Sequence, residues 1–291
     1  MKFRTEIPTP KYPFDINYQD KLMLVGSCFS DHIGNFFQEM GFDTLSNPFG
    51  TLFNPVSIAN ALKMSIEPAL FTENHIDFFN EKWISYAHHG RFSHPDKETF
   101  RQNICQELDR AHDFFASANY LFLTFGTAYC YRLIERDLIV ANCHKIPAAR
   151  FEKILLTIEQ ITSQYQELIA QLQHFNPHLK IIFTVSPVRH LADGFHENQI
   201  SKSILHLSVN QLIDNKNTFY FPSYEILQDD LRDYRFYAAD LCHPSDAAVT
   251  YIREKLTEAF FTLETQNRMK EVIKENKAKG HRINQSFFSQ I

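Results

Sequence analysis

Long apolar runs and long blocks of like charge are both absent from the sequence. No segment approaches the length of a membrane-spanning helix, and residues 1–13 carry charges and prolines where a secretory signal would have an apolar core. The net charge is only -5, which gives no general attraction to nucleic acid or to a membrane surface. We therefore expect a cytoplasmic protein that binds a small molecule, and neither nucleic acid nor membrane.

Cysteine is scarce, and its spacing argues against two kinds of site. The five cysteines are widely spread and odd in number, so reduced thiols fit this 291-residue chain better than a disulfide framework. None of them forms a CxxC pair, and the histidines at 75, 88, 89 and 94 lack a spacing that converges on zinc. We expect no metal and no cofactor. The cysteines are Cys28, Cys105, Cys130, Cys143 and Cys242.

Glycine is also rare, with 8 residues against 28 phenylalanines, which enlarge the core. One of the few, Gly26, separates the apolar run 22–25 from an amphipathic stretch over residues 31–40. This pattern predicts a strand, a tight turn and a helix, with Ser27 and Cys28 in the turn. The unpaired N–H groups that begin a helix favour a thiolate or an oxyanion beside it. The segment also fits an ordinary turn in which Ser27 is an N-cap and Cys28 a small buried residue.

Short apolar runs near residues 22, 44, 120, 181 and 218 predict five strands, and helical patterns lie between most of them. This alternation is typical of an open parallel sheet with helices on both faces. We therefore predict a three-layer α/β/α sandwich that forms a single domain over residues 1–291.

Four segments add to this plan. Residues 131–133 and 138–140 predict a small hairpin joined to the main sheet, and residues 151–174 predict the longest amphipathic helix. The stretch from about 65 to 117 is a candidate for an inserted helical cap. The region from about 246 to 291 is predicted to be a C-terminal helical extension.

Small and polar residues follow four of the predicted strands. Because parallel strands end at one edge of a sheet, these loops are expected to meet there. An arginine at this edge suits a carboxylate or phosphate group on a substrate, or a salt bridge that fixes the loop. In strand order the residues are Ser27 and Cys28, then Gly50, then Gly126–Tyr129, then Arg189 and His190.

A nucleophile at this edge needs a base, and the base needs an orienting group. Asp240 and His243 have the spacing that lets an aspartate turn back and accept a hydrogen bond from the imidazole ring. The Pro-Ser-Asp that follows starts a helix and would hold the loop. A DxxH spacing is weak evidence alone, but it gains weight beside the turn at Gly26. His190 competes as a base, although it lacks a carboxylate at this spacing.

The chain resembles the GSCFA family, whose signature is similar to residues 26–30, Gly-Ser-Cys-Phe-Ser, with Ser30 in place of the final alanine. Further matching segments cover most of the chain. These segments are Asn47–Pro55, Phe125–Tyr129, Asn142–Lys145, Thr184–His190, Asp193–Gly194 with Ser201–Lys202, and Tyr234–Tyr237 with the DxxH segment.

GSCFA proteins are in turn similar to the SGNH, or GDSL, hydrolase superfamily. That resemblance implies a five-stranded flavodoxin-like sheet and a Ser-His-Asp site for ester hydrolysis. It places Cys28, rather than Ser27, at the nucleophile position, and Asp240 and His243 match the DxxH block. Gly50 is the candidate for the glycine whose N–H group binds the oxyanion.

The resemblance is incomplete at the third block, Gly126–Tyr129, because Ala128 stands where the superfamily has its oxyanion-binding asparagine. Losing one oxyanion donor typically costs about a hundredfold in turnover. Thr127, Tyr129 or Asn142 would then substitute, or the site performs different chemistry.

Two functions from different classes follow from these residues. The first is a hydrolase or acyltransferase acting on an acyl ester, such as an O-acetylated carbohydrate, since a thioester passes its acyl group readily to acceptors besides water. The second is a non-catalytic small-molecule or carbohydrate-binding protein that keeps the pocket. The sequence leaves the oligomeric state open.

Overall fold

The computed structural model describes residues 4–288, with side chains described through residue 276. The strands are β1 (Lys21–Gly26), β2 (Asp43–Ser46), β3 (Ile76–Phe79), β4 (Lys82–Ser85), β5 (Tyr120–Phe125), β6 (Tyr129–Leu133), β7 (Leu138–Val140), β8 (Phe151–Leu155), β9 (Lys180–Val185) and β10 (Thr218–Tyr220). The helices are α1 (Cys28–Glu39), α2 (Pro55–Ile66), α3 (Lys97–Ala116), α4 (Ile158–Phe175), α5 (Phe195–Leu212), α6 (Ser223–Glu225), α7 (Asp246–Phe260) and α8 (Leu263–Phe288). A π-helical turn over Ile226–Leu231 extends the short α6.

The central sheet has five parallel strands in the order β10-β9-β5-β1-β2. Counted along the chain, these five strands follow the flavodoxin-like order 2-1-3-4-5. The predicted parallel sheet is therefore confirmed. In such sheets a crevice opens at the carboxyl ends of the strands, where the order reverses. Here that point lies between β1 and β5, directly beside the turn at Gly26.

Two hydrophobic layers cover the sheet, because alternate residues of each strand point to opposite faces. Met23 and Val25 of β1 pack into the layer formed with α2, α3, α4 and α5. Leu22 and Leu24 pack into the layer formed with α1 and α7. The three-layer sandwich is thus built on both faces by apolar strand residues, many of which meet phenylalanine rings.

The predicted hairpin is present, but it does not join the main sheet. Strands β6 and β7 pair antiparallel and form a separate three-stranded sheet with β8, in the order β7-β6-β8. The prediction of a helix from residue 151 is wrong over Phe151–Leu155, because this segment is β8. Helix α4 begins only after Thr157, which forms a capping box with Gln160.

The segment between residues 65 and 117 contains the β3–β4 hairpin and α3. Helix α3 buries Phe100, Ile104 and Leu108 in the same core layer as α2 and α4. In the C-terminal region, α7 buries Ile252 and Leu256 against the opposite face of the sheet. Both helices are therefore parts of the sandwich. Within residues 4–288, no helix has the length and apolar character needed to cross a bilayer.

Candidate active site

The turn after β1 requires a glycine. Gly26 has a φ of +148°, and a Cβ at this position would lie 2.3 Å from the carbonyl oxygen of Thr124 on β5. The next residue, Ser27, donates its N–H to the same oxygen at 3.1 Å. The end of β1 is thus pressed against β5, and Cys28 becomes the first residue of α1.

Ser27 and Cys28 have different surroundings. The Ser27 side chain is fully buried, and its Oγ accepts the N–H of Phe29 at 3.3 Å, as an N-cap does. Cys28 is partly exposed. Burial raises the pKa of its thiol, and the charge of Asp31 adds to this, whereas the first N–H groups of α1 and the Lys202 ammonium act in the opposite direction.

Asp240 and His243 form a local pair on the loop before α7. One carboxylate oxygen of Asp240 accepts the backbone N–H groups of Cys242 at 2.9 Å and His243 at 3.0 Å. The other oxygen lies 2.6 Å from Nδ1 of His243. These hydrogen bonds lower the pKa of Asp240 to about 2. Because Nδ1 donates to an ionised carboxylate, Nε2 is left as a proton acceptor.

The loop after β9 holds this pair in place. Arg189 donates its backbone N–H to the carbonyl of Cys242 at 3.0 Å and its guanidinium to the carbonyl of Leu241 at 3.2 Å. The guanidinium also lies 5.5 Å from the ring centroids of Phe195 and Tyr237. No carboxylate of the described residues forms an ion pair with Arg189. Its charge is available to an anionic group in the neighbouring cavity.

A cavity of about 640 Å³ opens at this edge of the sheet. It brings together seven residues that the sequence predicted for the site: Thr127, Tyr129, Asn142, Arg189, His190, Asp240 and His243. The other predicted residues do not line it, namely Ser27, Cys28, Gly50 and Gly126. From the 65–117 segment, His89 alone among the described residues contributes to the lining.

No hydrogen bond joins Cys28 to His243, both of which lie in the described part of the chain. A weaker link comes from His32, one turn along α1. Burial lowers the pKa of His32, and the charges of Arg253 and His243 lower it further. His243 therefore lies within electrostatic reach of the first turns of α1.

The predicted glycine donors are already occupied. Gly50 donates its N–H to the carbonyl of Asn47 at 2.8 Å, and Gly126 donates to the carbonyl of Phe53 at 2.8 Å. Gly50 is required for another reason, since its φ is +80° and a Cβ would lie 2.2 Å from Cβ of His89. The N–H of Gly50 is thus occupied in this structure and the residue is required for packing, while its oxyanion-donor role stays a prediction.

Among the substitute donors, Asn142 has the freest side chain. Its Oδ1 accepts the N–H of His144 at 2.8 Å, which fixes the amide and leaves Nδ2 without a partner among the described residues. Thr127 is engaged instead, because its Oγ1 lies 3.1 Å from Oγ of Ser201. The ring of Tyr129 lies 4.2 Å from Nζ of Lys153. Asn142 thus presents two N–H donors at the cavity wall.

The sequence model of the GSCFA family matches residues 21–256. The chain belongs to the GSCFA family. No curated protein matches it at a significant level. Among the side chains of residues 4–276, no cluster of three or more His, Cys, Asp or Glu could hold a metal ion.

Solved structures resemble this GSCFA protein only distantly. A protein of Streptococcus pneumonia named for platelet activating factor has 11% identity and a TM-score of 0.42, over 82% of this chain and 83% of that one. A carbohydrate esterase family 3 protein from Talaromyces cellulolyticus has 9% identity and a TM-score of 0.41, over 87% and 99%. The acetyl xylan esterase Est2A from Butyrivibrio proteoclasticus has 12% identity and a TM-score of 0.41, over 82% and 65%. Values this low do not assign an activity.

Lys202 is a feature of this GSCFA protein to which the sequence gave no role. Its side chain is buried, and Nζ donates to the carbonyls of Gly126 and Ser186 at 2.7 Å each. The sequence carried a signal that Lys202 is buried, because it lies on the same face of α5 as Ser201, Leu205 and Val209. A buried lysine is unusual, because lysine is almost never fully buried unless it is paired with an anion.

His190 lies beside the lysine and is kept neutral. Burial lowers its pKa to about 4, and the charge of Lys202 contributes. Its backbone N–H donates to Oδ1 of Asn198 at 2.9 Å, while Nε2 has no partner within the described residues. Unlike His243, it has no carboxylate on its ring. It therefore lines the cavity without the orienting group that a general base requires.

Proposed function

We propose that this GSCFA protein is an esterase-type hydrolase or acyltransferase in which Cys28 is the nucleophile and His243 is the base. The main support for this proposal is the 2.6 Å hydrogen bond between His243 Nδ1 and Asp240 Oδ2 at the cavity wall. It fixes Nδ1 as the donor to the carboxylate, so that Nε2 is the ring nitrogen that accepts a proton. Cys28 begins α1 at the same edge of the sheet, where the first N–H groups favour negative charge on sulfur.

In the first half-reaction the Cys28 sulfur attacks the ester carbonyl carbon. His243 Nε2 takes the thiol proton as the sulfur–carbon bond forms, and Asp240 stabilises the resulting imidazolium. The tetrahedral adduct collapses with cleavage of the carbon–oxygen bond. His243 returns its proton to the departing alcohol, which leaves a thioester on Cys28 and a neutral imidazole.

In the second half-reaction a water molecule or a second alcohol attacks the thioester. His243 Nε2 takes the proton of this acceptor, the sulfur–carbon bond breaks, and the proton passes to the departing Cys28 sulfur. Water gives a carboxylic acid, and an alcohol gives a new ester. A half-buried thiol whose pKa is raised suits this course, because deprotonation occurs together with attack.

For the oxyanion we assign the backbone N–H group of Cys28, which begins α1, and the Nδ2 group of Asn142. The support is the free amide of Asn142 at the cavity wall, together with the absence of a side-chain donor at Ala128. Since one donor is worth about a hundredfold in turnover, Asn142 compensates for the alanine.

The proposed substrate is an acyl ester, with an O-acetylated carbohydrate as the leading class. Tyr129 and Tyr131 supply aromatic surface along the cavity, and Arg189 supplies a positive charge. A cavity of about 640 Å³ is within the usual range for small-molecule sites. A substrate with a carboxylate or phosphate group would gain from Arg189.

The proposal is tested with p-nitrophenyl acetate as the activated ester. We expect turnover in the wild type and its loss in Cys28→Ala and His243→Ala. Matched controls are Cys105→Ala, an exposed thiol on α3, and His178→Ala, an exposed histidine before β9, both of which should keep wild-type turnover. If Cys28→Ala turns over ester as fast as Cys105→Ala, the proposed nucleophile is wrong.

A second candidate function is a non-catalytic binding protein for the same carbohydrate class. One observation favours it, namely that Cys28 does not line the cavity that contains His243. Calorimetry with an O-acetylated sugar and its deacetylated form distinguishes the two. Binding without acetate release, unaffected by Cys28→Ala and His243→Ala, would favour the binding protein over the enzyme.

A further inference from the structure

We propose that Lys202 is a positioning residue whose buried ammonium group is the counter-cation of the Cys28 thiolate. This inference rests on the proposed function of Cys28 as a nucleophile. Lys202 makes no hydrogen bond to the Cys28 sulfur, so it acts through its charge and through the strand ends that it holds.

Lys202 lacks a carboxylate partner. Lys202 is 1% exposed, and its two hydrogen bonds go to neutral carbonyls, those of Gly126 and Ser186. Within the described residues it forms no ion pair with aspartate or glutamate. A buried ammonium without an anion is costly, and such charges are normally paired. An anion that forms during the reaction would supply the missing partner.

Lys202 lies at the same edge of the sheet as Cys28. The two carbonyls follow the carboxyl ends of β5 and β9, so Nζ lies at the edge of the sheet where Cys28 begins α1. The turn before Cys28 is bonded to β5, because Ser27 donates its N–H to the Thr124 carbonyl at 3.1 Å. The Ser30 hydroxyl also donates to Oγ1 of Thr124 at 2.8 Å. These bonds fix the thiol relative to the strand that Lys202 holds.

Lys202 and Cys28 also affect each other's pKa. Burial lowers the pKa of Lys202 to about 7, and the charge of Cys28 acts in the opposite direction. Lys202 in turn lowers the pKa of the Cys28 thiol, against burial and the charge of Asp31. Since His243 Nε2 accepts the thiol proton, Lys202 would stabilise the anion that remains.

The remaining groups around Lys202 do not replace Cys28 as the anion. Burial lowers the pKa of His190 and of His206 to about 4, and the Lys202 charge contributes in both cases, so both imidazoles stay neutral. The ring centroid of Tyr224 lies 5.7 Å from Nζ, and burial raises the pKa of its hydroxyl. Thus the histidines and the tyrosine that surround the lysine are uncharged at neutral pH.

The experiment follows Cys28 alkylation by iodoacetamide as a function of pH, with mass spectrometry of the peptide that contains Cys28. The variants are Lys202→Gln, which keeps two N–H donors, and Lys202→Met, which keeps none. We expect both to raise the midpoint of Cys28 alkylation by about 1 pH unit or more. The control Lys180→Met, at the opposite end of β9, should keep the wild-type midpoint. A wild-type midpoint in folded Lys202→Gln would overturn the proposal.

A second measurement does not depend on the folding of Lys202 variants. NMR of protein labelled with 13C at the lysine ε-carbon follows the titration of Lys202 in the wild type and in Cys28→Ser. Because coupling between two titrating groups is reciprocal, the Lys202 midpoint should fall when the thiolate is removed. An unchanged midpoint would contradict the proposal. Neither readout uses ester turnover, so failure of the proposed enzyme activity would be recognised separately.

Discussion

The two sides of the candidate site differ in how they are held. The floor, which comprises residues 26–30, residues 47–54, the ends of β5 and β9, and Lys202, is mostly buried and bonded to the central sheet. The rim loop, residues 233–245, is mostly exposed. The side chains of His243 and Asp240 are 47% and 50% exposed, and Leu241 between them has a φ of +57°. The proposed nucleophile therefore lies on the buried side and the proposed base on the exposed side.

Because the floor and the rim differ in this way, their structural and catalytic roles can be separated by experiment. Floor residues are surrounded by backbone and core atoms, so their substitution should change stability. Rim residues are held by a local turn and by few long-range bonds, such as that from Arg189 N to Cys242 O at 3.0 Å. Their substitution should change turnover with little effect on stability. No hydrogen bond joins Cys28 to His243 in this structure, and catalytic hydrogen bonds often tighten only when substrate binds.

The largest effect is expected at Gly26 in the floor. Gly26→Ala would place a Cβ 2.3 Å from the Thr124 carbonyl oxygen, so β1 and β5 would have to separate. We expect a loss of about 4 kcal/mol or more in the free energy of unfolding. Urea denaturation measures it. The matched control is Gly90→Ala, whose nearest contact would be an ordinary 3.6 Å, and equal stability of the two variants would contradict the rigid floor.

A pH-dependent effect is expected at His88, which supports the floor by stacking on Phe49 with ring centroids 5.0 Å apart. Burial lowers the pKa of His88 to about 3. The unfolded chain has an ordinary histidine with a pKa of about 6.5, so between these values it binds more protons than the folded protein. Stability should therefore fall as the pH drops from about 6.5 towards 3, with a loss of roughly 3 kcal/mol from this residue once pH 4 is reached.

The test compares urea denaturation of the wild type and His88→Phe between pH 7 and pH 4. We expect a smaller loss of stability on acidification in the variant, although its stability at pH 7 is reduced because Nδ1 no longer bonds to Ser85. The exposed control His178→Phe should keep the wild-type slope. Equal slopes in His88→Phe and the wild type would show that His88 does not contribute.

On the rim, Asp240→Asn should reduce ester turnover by about a hundredfold or more, because the amide no longer fixes the required imidazole tautomer. The free energy of unfolding near pH 7 should change little, since the side chain is half exposed. Asp233→Asn is the matched control, because Asp233 caps Arg235 in the same loop and lies away from the cavity. An equal loss of turnover in the control would attribute the effect to loop distortion.

Local patterns predicted the parts of the site that depend on local contacts. Asp240 and His243 are three positions apart and pair within one turn, so the DxxH spacing, considered beside the Gly26 turn, was enough to nominate them. The Gly26 turn was similarly visible at the junction of an apolar run and an amphipathic stretch. The parallel sheet followed from the alternation of strands and helices.

The errors arose where tertiary contacts decide. Residues 151–155 continue a helical pattern in the sequence, but they pair with β6 as a strand. The capping box at Thr157 was the local signal that places the helix start. The occupied N–H of Gly50 has no such local signal, because it depends on which carbonyl the fold brings near it. The place of Lys202 on the buried face of α5 is a local signal of burial, but its hydrogen bonds to the carbonyls of Gly126 and Ser186 again depend on the fold.

The smallest effect sharpens the distinction between the two neighbouring candidates for the nucleophile. Ser27→Ala removes the N-cap of α1 and should cost about 1 kcal/mol in the free energy of unfolding. Thr157→Ala, which removes the N-cap of α4 far along the chain, should cost a similar amount. Ester turnover per folded molecule should stay within about tenfold of the wild type in both, because Cys28 keeps its place at the start of the helix. Loss of turnover in Ser27→Ala alone, at equal stability, would transfer the nucleophile to the serine. Because Ser27 is buried, that outcome would require the floor to open. The Gly26 and His88 variants independently measure how much the floor contributes to the free energy of unfolding.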